Sequence, residues 1–161
     1  MRRPLLLMLI AALLGVGLVA GCGGDDGPSA KEQFEKDYGE VNDDLLSLSE
    51  EVGTAVNTAR GKSDAQLATQ FASLGERTQE VRGDLDELDP PEEYQDLTER
   101  LSKAIDVVAT DLTEIGEAAD ANDATAARAQ AVELGRHSVE VRTARRELAR
   151  RTGAKVTSGS E

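Results

Sequence analysis

The sequence predicts an all-α protein, an antiparallel up-down-up-down four-helix bundle, on three observations. Apolar residues recur alternately every three and four positions through four successive segments, which is the seam spacing of a helical bundle. Apolar and polar residues do not alternate with period two, so strands are not predicted. The connections are only a few residues long, which makes successive helices antiparallel neighbours.

The first two helices are each predicted to begin at a capping box, in which a serine and a residue three positions later satisfy each other's backbone amides. Ser29 with Glu32 marks the first start, and Ser63 with Gln66 marks the second. The seam of the first helix is predicted at Phe34, Tyr38, Val41, Leu45, Leu48, Val52, Ala55 and Ala59. The seam of the second is predicted at Leu67, Phe71, Leu74, Thr78, Val81, Leu85 and Leu88.

The third helix is predicted to start at Asp89 as N-cap, with Pro90 as its first helical residue. Asn122 or Asp123 is predicted to cap the fourth. The third seam comprises Tyr94, Leu101, Ile105, Val108, Leu112, Ile115 and Ala119. The fourth comprises Ala127, Gln130, Leu134, His137, Val141, Ala144 and Leu148.

The chain is strongly acidic, with 31 Asp and Glu against 18 Lys and Arg and a net charge of −13. Such a surface repels nucleic acid, so no nucleic-acid partner is predicted. Acidic residues concentrate in the first helix and arginines in the fourth, and these two helices lie side by side in an up-down bundle. We therefore expect Glu32, Glu35, Asp37 and Glu40 to form exposed ion pairs with Arg142, Arg145, Arg146, Arg150 and Arg151, which would favour this arrangement of the helices over the swapped one. The alternative is an arginine cluster that binds an anionic ligand.

The N-terminus has the order of an export signal: basic residues at positions 2 and 3, an apolar run over 5–20, and small residues before Cys22. The stretch Leu18-Val19-Ala20-Gly21-Cys22 resembles the lipobox of bacterial lipoproteins. That resemblance implies a diacylglyceryl group on the Cys22 thioether and cleavage just before it. Two acyl chains anchor a protein stably, so the membrane is the implied partner. The alternative is an uncleaved signal anchor with a free thiol.

These features divide the chain into four parts. Residues 1–21 are predicted to be a lipoprotein signal peptide, 22–28 a lipidated flexible tether, 29–151 the bundle, and 152–161 a disordered tail. The location implied is the extracytoplasmic face of the cell membrane.

A second resemblance lies between the second and third helices. Residues 85–97, LDELDPPEEYQDL, resemble the Leu-x-x-Leu-x-Pro-Pro-x-Glu-Tyr turn of small helical lipoproteins from high-GC Gram-positive bacteria. The resemblance implies a fold and a compartment, and it implies no activity. Members often carry a histidine just after the later leucine, where this chain has Thr98.

Chemistry-bearing residues are sparse. The sequence has one histidine, and it lacks a glycine-rich phosphate loop, a C-x-x-C pair and an H-E-x-x-H motif. No catalytic residue, cofactor or metal site is assigned, and the chain is not expected to be an enzyme. His137 and Thr78 are predicted to form a polar layer of the core, or His137 bonds an acid on the first helix. A more specific alternative is that the side chains of Glu133, His137 and Glu140 form a metal site.

We expect a non-enzymatic interaction or scaffold module of the cell envelope that contacts an unidentified envelope protein. Val132 and Val139 lie seven positions apart, opposite the seam, and should be exposed. With the arginines they define the predicted partner face: Val132, Val139, Arg142, Arg145 and Arg146. The alternative is a small-ligand or metal-binding bundle with a pocket near Thr78 and His137.

Overall fold

The computed structural model describes residues 27–157. It contains four α-helices: α1 (Ala30–Thr58), α2 (Asp64–Asp86), α3 (Glu92–Asp120) and α4 (Ala124–Thr152). A single 3-10 turn, Ala59–Gly61, follows α1. No strand occurs among the described residues. Helix α3 packs against α2 and α4, and α1 contacts α2 and α4. The predicted four-helix bundle is confirmed.

Three of the helix starts are capped by the residues that the sequence indicates. The Ser29 hydroxyl accepts from the Glu32 amide, and the Glu32 carboxylate accepts from the Ser29 amide at 2.8 Å. Ser63 and Gln66 form the same reciprocal pair at the start of α2. Of the two candidates for α4, Asp123 is the cap. Each cap satisfies amides that a first turn otherwise leaves without partners.

The start of α3 differs from the prediction. The N-cap is Pro91, which makes no side-chain capping bond, and the helix begins at Glu92 rather than at Pro90. The reason is the doubled proline, because a residue that precedes a proline is forced out of the helical region. Pro90 precedes Pro91 and therefore cannot take the first helical position.

The core follows the predicted seams on α1, α2 and α3, where most of the seam residues are buried, but only three of the seven seam residues predicted on α4 are buried: Leu134, Ala144 and Leu148. All seven seam residues predicted on α3 are buried, and so are six of the eight predicted on α1. One end of the bundle is closed by an aromatic cluster, in which the rings of Phe34 and Tyr94 stack at 5.2 Å and those of Phe34 and Tyr38 at 6.0 Å. The buried core residues are Phe34, Tyr38, Val41, Leu45, Leu48, Ala55, Phe71, Leu74, Val81, Leu85, Tyr94, Leu97, Leu101, Ile105, Val108, Leu112, Ile115, Leu134, Ala144, Leu148 and Ala149.

Helices α2 and α3 approach each other closely at two glycines. A Cβ atom on Gly116 would lie 3.1 Å from the backbone nitrogen of Ala72 and 3.2 Å from the carbonyl oxygen of Ala68. On the facing helix, a Cβ atom on Gly75 would lie 2.7 Å from the Thr113 hydroxyl. The absence of side chains at these two positions lets the two backbones pack at short range.

The C-terminal boundary needs a correction. The sequence predicts a disordered tail from residue 152, but α4 continues through Thr152, which is buried. Gly153 then reverses the chain with φ 76°, a conformation that glycine adopts without strain. Ala154 and Val156 pack against the core as partly buried residues. Hydrogen bonds from Asn42 of α1 and Arg145 of α4 to the carbonyls of Lys155 and Val156 hold this segment against the bundle.

Candidate ligand-binding groove

A groove runs between α1 and α4, along the half of α1 that follows Leu45. Its volume is about 680 Å³, within the range of roughly 300–1,000 Å³ typical of small-molecule sites. Thr78, Ile105 and Val108 form its floor. The wall on α1 comprises Leu45, Leu46, Leu48, Ser49, Val52, Gly53, Val56 and Asn57. The wall on α4 comprises Ala131, Leu134, Gly135, Ser138, Val141, Arg142, Arg145 and Arg146, and Val156 and Thr157 complete the lining.

The groove stays open because the residues at its mouth are small. Ser49 and Gly53 on α1 face Gly135 and Ser138 on α4. A Cβ atom built on Gly53 or on Gly135 would meet nothing within 4 Å. These glycines differ from those between α2 and α3, where atoms of the facing helix occupy the space. The side chains on either wall are therefore too short to close the gap between the two helices.

One end of the groove is formed by Arg145, a cationic side chain that is only 5% exposed. Its guanidinium donates to Asn42 Oδ1 at 2.8 Å, to the Val156 carbonyl at 2.8 Å and to the Lys155 carbonyl at 3.4 Å. Asn42, which is fully buried, also donates to the Lys155 carbonyl at 3.1 Å. These bonds tie the reversed tail to α1 and α4 and make it the end wall of the groove.

Burial lowers the pKa of the Arg145 guanidinium, and the neighbouring charges of Arg146 and Arg142 lower it further. Tyr38 packs on the same residue, since its hydroxyl donates to the Arg145 carbonyl at 3.2 Å. Burial raises the pKa of the Tyr38 phenol well above its ordinary value, so this hydroxyl stays protonated. Arg145 therefore meets neutral oxygens rather than a carboxylate.

The predicted ion pairs between acids of α1 and arginines of α4 are not formed. Among residues 27–157, no carboxylate lies within salt-bridge distance of Arg142, Arg145 or Arg146. Three of the four acids instead pair with lysines of α1 itself, in Lys31–Glu35, Lys36–Asp37 and Lys36–Glu40. The gap between the helices and the short i to i+4 distance within α1 explain this outcome.

The predicted partner face is divided by the fold. Val132 and Val139 are 70% and 51% exposed, as expected. Arg145 is buried and therefore does not belong to an exposed face. It is buried because its position on α4 lies next to the seam rather than opposite it. Val132, Gly135, Val139, Arg142 and Arg146 follow one another at steps of three and four residues, which makes them one ridge. Gly135, Arg142 and Arg146 line the groove and the two valines do not, so the valines lie just outside the lining, at the rim.

Thr78 and His137 occupy different environments. The Thr78 hydroxyl is buried in the groove floor and donates to the Leu74 carbonyl of its own helix at 2.7 Å. His137 lies outside the groove, with Nδ1 2.7 Å from Asp111 Oδ2 and Nε2 2.7 Å from an Arg136 guanidinium nitrogen. The acid bonded to the histidine thus lies on α3, not on α1 as the sequence suggested, because His137 lies on the flank of α4 that faces α3.

The proposed metal ligands are not brought together. Glu133 pairs with Arg136 at 2.5 Å. Within the described part of the chain, no cluster of three or more His, Cys, Asp and Glu side chains has the geometry to hold a metal ion.

Several buried polar residues were missed by the sequence analysis, and two of them, Asn42 and Asp111, bond other side chains of the core. Both carried a signal, because Asn42 lies four residues after Tyr38 and Asp111 lies three after Val108, which are seam spacings. A polar residue at a seam position indicates a buried partner. Asn42 meets Arg145, and Asp111 meets His137.

Cys22 and the lipobox residues Leu18, Val19, Ala20 and Gly21 lie outside the described residues. Over residues 27–157, no helix combines the length and hydrophobicity needed to cross a membrane. Comparisons with protein-family models, with curated proteins and with solved structures found no significant match.

Proposed function

We propose that this protein is an extracytoplasmic lipoprotein, held to the cell membrane by lipid on Cys22, and that its bundle is a non-enzymatic binding module of the cell envelope. The N-terminal signal pattern and the lipobox resemblance support the anchor. The tether over residues 22–28 spans at most about 25 Å when extended, which keeps the bundle close to the bilayer.

The observation that carries the binding role is the open groove between α1 and α4, with its cationic end and its rim of exposed valines. Large apolar side chains on a monomeric surface are ordinary when they are scattered. Val132 and Val139 are different because they share a ridge of α4 with Gly135, Arg142 and Arg146, which line a concave site. Binding in this groove combines the two alternatives from the sequence, a contact on α4 and a small ligand within the bundle, and the concave shape favours the small ligand.

The proposal is tested by site-specific photo-crosslinking in intact cells that produce the full chain. A photoreactive amino acid is placed at Val139 on the rim of the groove, and the matched control places it at Glu80, an exposed position on α2. We expect a discrete captured species at Val139 that is missing at Glu80 and that is lost when Gly135→Trp fills the groove. Equal capture at both positions, or none at Val139, would overturn the binding role.

A further inference from the structure

We propose that the groove between α1 and α4 binds one long-chain fatty acid as its anion. The carboxylate lies at the arginine end, and the hydrocarbon chain runs along the apolar walls toward Val56. This inference rests on the proposed binding function and names the class of ligand that the groove takes.

The charge distribution favours an anion. The chain carries a net charge of −13, yet among residues 27–157 every charged residue that lines the groove is an arginine: Arg142, Arg145 and Arg146. Over residues 27–157 none of these three has a carboxylate at salt-bridge distance. Buried charges are normally paired, and Arg145 has only neutral oxygens around it. A bound carboxylate supplies the missing counter-charge.

The geometry of the two outer arginines suits a carboxylate. Arg142 and Arg146 are four residues apart on α4, so both side chains project from the same face, and both are exposed at the mouth of the groove. A guanidinium group presents two parallel N–H donors that match the two oxygens of a carboxylate. The head group can therefore be held by the exposed pair, with Arg145 behind it.

The remainder of the groove suits a hydrocarbon chain. Leu48, Val52 and Val56 line one wall, and Leu134 and Val141 line the other. From Ala131 to Arg145 the wall on α4 is roughly 21 Å long. Val56, at the end away from the arginines, is 41% exposed, so the apolar lining reaches solvent there. Because charged groups occur at one end only, the shape favours a ligand with one charged end and a long apolar body.

The test uses isolated membrane vesicles that contain the full chain, so that the probe cannot be metabolised onto Cys22. A sixteen-carbon fatty acid carrying a diazirine and an alkyne is added, and light-dependent labelling is mapped by peptide mass spectrometry. We expect label on peptides of α1 and α4 that line the groove. Unlabelled sixteen-carbon acid should compete, and its methyl ester should compete at least tenfold more weakly because it lacks the charge. Shortening the acid should weaken competition about fourfold for each methylene lost.

Variants of the groove provide the controls. Gly135→Trp and Gly53→Trp fill the groove from opposite walls at positions where a Cβ atom has free space, so the bundle should accommodate them. Each should reduce labelling at least tenfold, and so should the double variant Arg142→Ala/Arg146→Ala. The matched control Arg128→Ala/Arg150→Ala removes two charges from α4 outside the groove and should label as the unmodified protein does. Protease resistance in the vesicles checks that each variant is folded.

The fatty-acid proposal is overturned if the ester competes as well as the acid, if the tryptophan variants that resist protease still label fully, or if label spreads evenly over all four helices. Its failure is distinguishable from that of the binding role. If the Val139 crosslinker captures an envelope protein in cells while the acid gives no light-dependent label, the binding module stands and the fatty-acid ligand is wrong.

Discussion

Replacing Gly116 with alanine should weaken the packing of α2 against α3. The new Cβ atom would lie 3.1 Å from the Ala72 nitrogen and 3.2 Å from the Ala68 carbonyl oxygen. Both are backbone atoms, so a change of side-chain rotamer cannot relieve these contacts. Overpacking of this kind costs about 1–3 kcal/mol. Removing a glycine from a helix interior offsets about 0.5–1 kcal/mol of that cost.

The matched control is Gly83→Ala on α2, where a Cβ atom meets nothing within 4 Å. The free energy of unfolding of this variant should rise by about 0.5–1 kcal/mol, because alanine favours a helix interior more than glycine does and no atom opposes the new Cβ. Urea unfolding of residues 27–161, followed by circular dichroism, measures both variants. The free energies of unfolding should therefore differ by about 1–3 kcal/mol in favour of Gly83→Ala. Equal stability of the two variants would refute the close approach of α2 and α3.

Further predictions concern the core, the buried arginine, alkaline pH and the anchor. Leu112→Ala should cost about 2–5 kcal/mol because the side chain is fully buried; a loss below about 1 kcal/mol in urea unfolding would place it outside the core. Asn42→Ala should cost about 1–3 kcal/mol, since it leaves an Arg145 donor without its acceptor, and should speed proteolysis after residue 152. Burial raises the pKa of the Tyr38 phenol in the folded protein. The contribution of Tyr38 to the free energy of unfolding is therefore complete below about pH 10 and declines at higher pH, as the phenol ionises in the unfolded chain. Tyr38→Phe should reduce this alkaline loss of stability, and an unchanged pH profile would contradict the prediction. Cys22→Ser should release the protein from the membrane fraction, whereas continued tight retention would favour an uncleaved anchor.

Much of the fold could be read from the sequence because its determinants are local or periodic. The capping boxes at Ser29 and Ser63 depend on residues three positions apart, and the seams depend on helical spacing. The predicted start of α3 at Pro90 was wrong, because the preference for proline at the first helical position does not take account of the effect of Pro91 on the conformation of Pro90.

The site was less predictable because it depends on the distance between two helices. The sequence placed the arginines of α4 beside α1, but it did not reveal that small residues such as Gly53 and Gly135 would leave a gap there. It also assigned Arg145 to an exposed face, although Asn42 at a seam position was the signal that a polar partner is buried nearby. The side of α4 to which His137 turns is set by tertiary packing, and periodicity alone does not distinguish the two flanks.

Nuclear magnetic resonance tests the binding groove most directly, using isotope-labelled residues 27–161 titrated with a sixteen-carbon fatty acid. The account predicts that the amide signals of Gly53, Gly135 and Ser138 shift together and saturate, while those of Gly39 and Gly83, outside the groove, stay in place. Saturation of the groove signals with unmoved controls supports a ligand between α1 and α4. Groove signals that do not move, or that move no more than those of Gly39 and Gly83, would contradict it.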